Sequence, residues 1–179
     1  PQFSNYSTIN NVSLVGDNNS ITNNTSGICN LYSNFTAQSA DVTPGNSYTL
    51  DLDLGTCEAF SAIDIANIFI DWNIDGDFND VNETITTIPP TQSPSSHTIN
   101  FTVPINAIPE QSRMRVVMQN NQWQSQNQAN AGDYNTDWFG ETEDYTIEVT
   151  GSVATPVTYL WSDGQTTQTS TNLSAGTYY

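Results

Sequence analysis

The chain of 179 residues has no lysine, two arginines and one histidine against 19 acids, for a formal net charge of −17. Such a surplus repels phosphate backbones and anionic lipid, which excludes nucleic acid and polybasic membrane contacts as partners. No apolar run reaches the roughly 20 residues of a membrane-spanning helix, so direct insertion is not expected either. The start at Pro1, without Met or a secretory leader, is that of a mature or excerpted piece. Catalysis is poorly provided for. His97 stands alone, and without a second His, a reactive Cys or a Lys no common nucleophile–base arrangement can be assembled. The chain is therefore expected not to be an enzyme.

Cysteine is scarce as well. Cys29 and Cys57 are the only pair, and no CxxC spacing points to zinc or redox chemistry. In a Ser-, Thr- and Asn-rich chain of extracellular appearance they are expected to form one disulfide. Closing a loop of about 28 residues stabilises a fold by roughly 3 kcal/mol in the chain-entropy model.

What the chain does have is two-residue alternation. In "NSYTLDLDLG" Tyr48, Leu50, Leu52 and Leu54 share one face, while Thr49, Asp51 and Asp53 share the other. "HTINFTVP" places Ile99, Phe101 and Val103 inward, and Pro104 ends it. "SRMRVVMQ" alternates Met114, Val116 and Met118 with Arg113, Arg115 and Val117. "EDYTIEVTG" aligns Tyr145, Ile147 and Val149, and "INNVSLVG" and "LYSNFT" are two further candidates. Seven or eight strands, each with one wet face, predict an all-β chain folded as an antiparallel sandwich of jelly-roll or immunoglobulin-like type. Near residue 150 the joint "TGSVATP" divides a first unit, 1–150, from the beginning of a second small β domain, 151–179. That tail is too short to bury a core of its own, which implies a longer parent chain.

The stretch "IFIDWNIDGDFNDVNE" turns an apolar strand into acids and amides at alternate positions. Asp71, Asn73, Asp75, Gly76 and Asp77 match the first half of a D-x-[DN]-x-[DN]-G calcium loop. Alternate side chains in a tight turn aim their oxygens at one centre, and Gly76 permits the positive φ that bends the chain round it. The twelfth position is Asn82 and not an acid, and no helices flank the loop, so it is not an EF-hand. The expected ligand set is Asp71, Asn73, Asp75, Asp77, Asp80 and Glu83 around a structural Ca²⁺. The competing reading is a solvated hairpin turn without metal.

Three segments in order, "IFIDWNIDGDFND", "VPINAIPEQSRMRV" and "FGETEDYTIEV", resemble the GEVED domain of large secreted bacterial proteins. Thr142 stands where a Val is usual, and the resemblance spans roughly Asn11 to Val149. The tail "YLWSDGQTTQTSTNLSAGTYY" resembles the opening of an SprB-type repeat of gliding-motility and adhesion proteins. The pairing implies export by the type IX secretion route and an extracellular or bacterial cell-surface location. The expected role is a non-catalytic, calcium-stabilised module of a large surface adhesin. Its partners would be other domains of the same chain, surface glycans or neighbouring surface proteins. The alternative is an accessory glycan-binding domain of a secreted multidomain hydrolase.

Arg113 and Arg115 share one face of one strand and are expected to form structural ion pairs with some of Glu141, Glu143 and Asp144 across neighbouring strands. The other reading of the two arginines is a clamp for an acidic ligand. The long connection from Asn120 to Gly140 is rich in amides and aromatics, where Trp123, Tyr134 and Trp138 are candidates for stacking on sugar rings.

Overall fold

The computed structural model of the chain describes residues 6–26, 28–57, 61–121, 139–151, 160–161 and 164–166. Among these the alternating segments are strands. In chain order they are β1 (Ser7–Val15), β2 (Ser20–Asn24), β3 (Tyr32–Val42), β4 (Ser47–Thr56), β5 (Ala62–Ile70), β6 (Thr84–Ser93), β7 (Ser95–Thr102), β8 (Gln111–Asn120) and β9 (Gly140–Val149). They form a four-stranded sheet in the order β2-β1-β4-β7 and a five-stranded sheet in the order β3-β9-β8-β5-β6.

The core lies between the sheets. The four-stranded sheet contributes Ile9, Val12, Leu14, Leu50, Leu52 and Leu54, and the five-stranded sheet contributes Ile68, Ile70, Met114, Val116, Met118 and Ile147. Removing each such side chain from water contributes about 1.5–3 kcal/mol, so the alternation that created one dry face per strand also drives the two faces together. Opposite this face β4 and β7 are wet, and they pair through Thr49 Oγ1 to Asn100 Oδ1 at 2.8 Å and Thr98 Oγ1 to Asp51 Oδ1 at 2.7 Å. The disulfide Cys29–Cys57 is formed, with the Cα atoms 5.8 Å apart.

Three features differ from simple alternation. First, β3 pairs with β9 in parallel, unlike the remaining ladders, and its register shifts between Asn34 and Ser39. Secondly, β6 is a strand despite Pro89 and Pro90. It lies at a sheet edge and pairs only with β5, whose register shifts between Asp64 and Ala66, so the two missing N–H donors break no second ladder. Thirdly, β5 is buried on both faces. Ala66, Ile68 and Ile70 enter the core, while Ile65 and Phe69 join Val117 in a smaller cluster on the outer face, against which Phe78 packs. Val117 does share a face with Arg113 and Arg115, but that face is not uniformly wet.

Candidate metal centre

Between β5 and β6 the chain makes a bend whose neck is closed by Trp72 and Glu83. The Trp72 ring is buried against the core, and its Nε1–H donates to the Asn82 carbonyl at 3.1 Å. Glu83 is buried, with Oε1 accepting the Trp72 N–H at 3.0 Å and Oε2 the Asp80 N–H at 3.2 Å. Burial, with the nearby Asp71 charge adding to it, raises the Glu83 pKa, while the N–H donors oppose the rise. Asp71 is fixed from the sheet side: its N–H donates to the Arg113 carbonyl at 3.0 Å, and its own carbonyl accepts the Ser112 hydroxyl. The loop therefore hangs from the end of a core strand and is tied to β8.

Within the bend, Asp71 Oδ2 accepts the Gly76 N–H at 3.1 Å. Gly76 has φ 93, and a Cβ there would meet nothing within 4 Å, so the glycine answers a backbone need and not a shortage of space. Ile74 has φ 58 and Asn82 φ 74. A β-branched residue in the left-handed region carries strain on the order of 1–3 kcal/mol, held by the closed neck.

This bend brings ligand oxygens of Asp75, Asp77 and Asp80 to within 4.8 Å of one another, all on exposed residues. Asn73 Nδ2 donates to Asp75 Oδ2 at 3.1 Å and to Asp80 Oδ2 at 2.6 Å, bridging two of the carboxylates. The Asp77 N–H holds the Asp75 pKa below the usual carboxylate value; desolvation opposes it, and the Asn73 and Asp80 side chains add to the lowering. Asp71 and Glu83 lie outside this trio and serve the bend and the neck. Asp71 Oδ1 is buried with no hydrogen-bond partner among the described residues. The six expected ligand residues thus separate into an exposed carboxylate trio, an amide between its members, and two buried acids behind.

The arginine pairing falls on one acid. Arg115 grips Asp144 with Nε to Oδ1 and Nη2 to Oδ2, both at 2.7 Å, while Arg113 approaches only to 3.9 Å. Tyr32 donates its hydroxyl to the same Asp144 at 3.0 Å. Of the three acids expected to supply partners, Asp144 is the one that does, and Glu141 and Glu143 are not ion-paired with either arginine. Alternate residues of β9 face opposite sides, so these two enter the interior in phase with Tyr145, Ile147 and Val149. Glu141 accepts from the Thr8 hydroxyl and the Ile9 N–H, each at 2.8 Å. Glu143 accepts the Tyr145 hydroxyl at 2.6 Å, and Asn23 Nδ2 donates to that hydroxyl at 2.7 Å. Burial pushes Glu141 up to about 6. Burial, reinforced by the Glu141 charge, pushes Glu143 up to about 8. A further buried acid, Asp64, accepts from Ser7 Oγ at 2.5 Å and Asn120 Nδ2 at 3.2 Å, and burial raises its pKa. These interior acids were missed as a group, although the phase of Glu141 and Glu143 with the apolar side of β9 was a readable signal. At the start of β9, Gly140 (φ 159) is indispensable, since a Cβ would lie 2.1 Å from the Met118 carbonyl oxygen.

The GEVED domain model matches residues 66–148. The match is narrower than the expected Asn11–Val149, yet it takes in the acidic bend, both arginines and the Gly140–Asp144 stretch. GEVED is a small β domain found in bacterial extracellular proteins, and the disulfide fits an oxidising environment. No curated protein matches the chain. Trp123, Tyr134 and Trp138 lie outside the described residues. So does most of the tail, except for a few residues in which the Trp161 carbonyl accepts the Gly164 N–H at 2.8 Å.

Proposed function

We propose that the chain is a non-catalytic, calcium-stabilised β-sandwich module of a large secreted or cell-surface bacterial protein, acting as an adhesive or spacer unit. Residues 1–150 would be the GEVED-like sandwich, and 151–179 the beginning of a second, SprB-like unit of an adhesin exported to the surface. The observation that carries the reading is the convergence of Asp75, Asp77 and Asp80 on one bend.

The donor set fits a hard divalent cation. Calcium takes six to eight oxygen ligands, and carboxylates with an amide oxygen are the groups it prefers. Three clustered carboxylates on a chain of net charge −17 repel one another, and a bound dication reverses the sign of that interaction. Asn73 now offers its N–H donors to Asp75 and Asp80; turning the amide over would offer Oδ1 to a cation instead. The orphaned Asp71 Oδ1 is one more oxygen without a partner among the described residues. Asp75, Asp77 and Asp80 would hold the ion, with Asn73 and Asp71 beside them and Glu83 keeping the neck shut. Its contribution is charge neutralisation that locks the bend and no reaction step.

The test is thermal unfolding with millimolar calcium and with chelator. At free calcium ~100 times Kd, linkage gives about 2.7 kcal/mol of stabilisation. An unchanged midpoint retires the calcium reading. For the non-catalytic role, the deciding observation is the parent chain: adhesin-type repeats beside this segment support it, and an adjoining hydrolase domain does not.

A further inference from the structure

Arg113 is the unusual cation of this molecule. Its side chain is 55% exposed, and its approach to Asp144 is 3.9 Å, beyond hydrogen-bond reach. Both oxygens of Asp144 are already engaged by Arg115 and Tyr32. A guanidinium carries five N–H donors in a planar fork, and among the described residues those of Arg113 meet no hydrogen-bond acceptor. They open onto a cleft of about 370 Å³ between the acidic bend and the outer face of the five-stranded sheet. Ile74 and Phe78 form its apolar wall, and Thr36, Gln111 and Thr146 add hydroxyl and amide groups beside Arg113. Phe78 is itself braced by Phe69, at 5.7 Å between ring centroids, and by the Arg115 guanidinium 5.5 Å from its ring.

We propose that this cleft binds a neutral saccharide, with Arg113 as its main hydrogen-bond donor and Phe78 with Ile74 as its apolar wall. The volume lies in the range of small-ligand sites, roughly 300–1,000 Å³. Adjacent sugar hydroxyls present acceptors to a guanidinium fork, can donate to Thr36 Oγ1, whose own hydrogen is held by Asn34 Oδ1 at 2.7 Å, and can donate to or accept from the Gln111 amide. A sugar ring in addition offers C–H faces to an aromatic or aliphatic wall. Net charge selects the neutral ligand, because a domain at −17 repels polyanions before they reach one arginine. One wall belongs to the bend that carries Asp75, Asp77 and Asp80, so the proposal rests on the calcium reading for the setting of that wall. Binding would then require calcium.

The experiment is a neutral-glycan array probed with the full chain in calcium, followed by titration of the best oligosaccharide into wild type, Arg113→Ala, Arg113→Lys and Phe78→Ala. Loss of a charged donor predicts affinity weakened roughly tenfold or more in Arg113→Ala, with partial recovery in Arg113→Lys. Chelator should abolish binding to the wild type. A melting midpoint that responds to calcium while no neutral glycan binds, or while Arg113→Ala binds like wild type, overturns the cleft and leaves the calcium reading standing. Neutral-glycan binding lost in Arg113→Ala but indifferent to chelator supports the cleft and removes its calcium dependence. Binding confined to acidic glycans overturns it.

Discussion

Two short stretches each gather three carboxylates and treat them in opposite ways. In the bend after β5, Asp75, Asp77 and Asp80 are exposed and crowd together around an amide. In the first half of β9, Glu141, Glu143 and Asp144 are all buried, and the pleat sets Asp144 on the face opposite the other two. Asp144 is matched by a guanidinium, Glu141 takes neutral donors, and Glu143 meets a tyrosine hydroxyl. In the bend, the neighbouring N–H groups favour the charged form of Asp75. The interior favours the neutral form of Glu143, since isolated charge is expensive to bury. Acidic residues so alike in sequence density therefore serve one region as candidate cation ligands and the other as buried hydrogen-bonding groups.

Titration should expose the contrast most strongly. The Glu143 pKa is raised from 4.5 to about 8 in the folded state. Its contribution to stability is fully present below pH 4.5 and is lost as pH rises through about 8. The loss is on the order of 5 kcal/mol, with Glu141 acting in the same direction up to about pH 6. Glu143→Gln keeps the volume and the acceptor for Tyr145, so it should melt higher than wild type at pH 8 and show a flatter pH profile. Superimposable profiles would mean that Glu143 is not buried as described.

Next in size is Arg115→Ala. It leaves the buried Asp144 carboxylate without its bidentate partner, and breaking such a pair destabilises by about 3–5 kcal/mol in chemical denaturation. A loss under ~1 kcal/mol, the range of surface pairs, would place the pair in solvent. Smaller again is the calcium effect. Asp77→Asn should cut most of the calcium-induced rise in midpoint, whereas Glu143→Gln should leave that rise intact. If both variants respond alike, the two acidic regions are not independent. Smallest is Arg113→Ala, whose 3.9 Å contact and exposure predict a stability change within ~0.5 kcal/mol of wild type. A larger loss would show that Arg113 supports the sheet as Arg115 does.

Besides the candidate segments of β1 and β3, the strands readable in advance, β4, β7, β8 and β9, are those whose apolar residues recur at every second position, whether the opposite face is wet as in β4 and β7 or largely buried as in β9. β2 is five residues long, and β6 carries two prolines in mid-strand, so neither has a clear period. The cluster of Ile65, Phe69 and Val117 was hidden for a related reason, since a strand dry on both sides loses its alternation. The pairing of Arg115 was legible as a choice among three acids. The selection of Asp144 required knowing that it lies opposite Arg115 on the same face.

Taken alone, the order of residues determined the β class, the inward faces of four strands, the two cysteines available for bridging and the bend at Gly76. These depend on chemistry repeating over two to six residues, where the pleat and a single turn dictate the geometry. Tertiary structure decided the parallel seating of β3 on β9, the separation of Asp71 and Glu83 from the exposed trio, and the sealing of Glu141 and Glu143 between the sheets. Pairing between distant strands and the withdrawal of water are set by segments far apart in the chain; local spacing gives the side of β9 on which Glu141 and Glu143 lie, and only the opposite sheet makes that side dry.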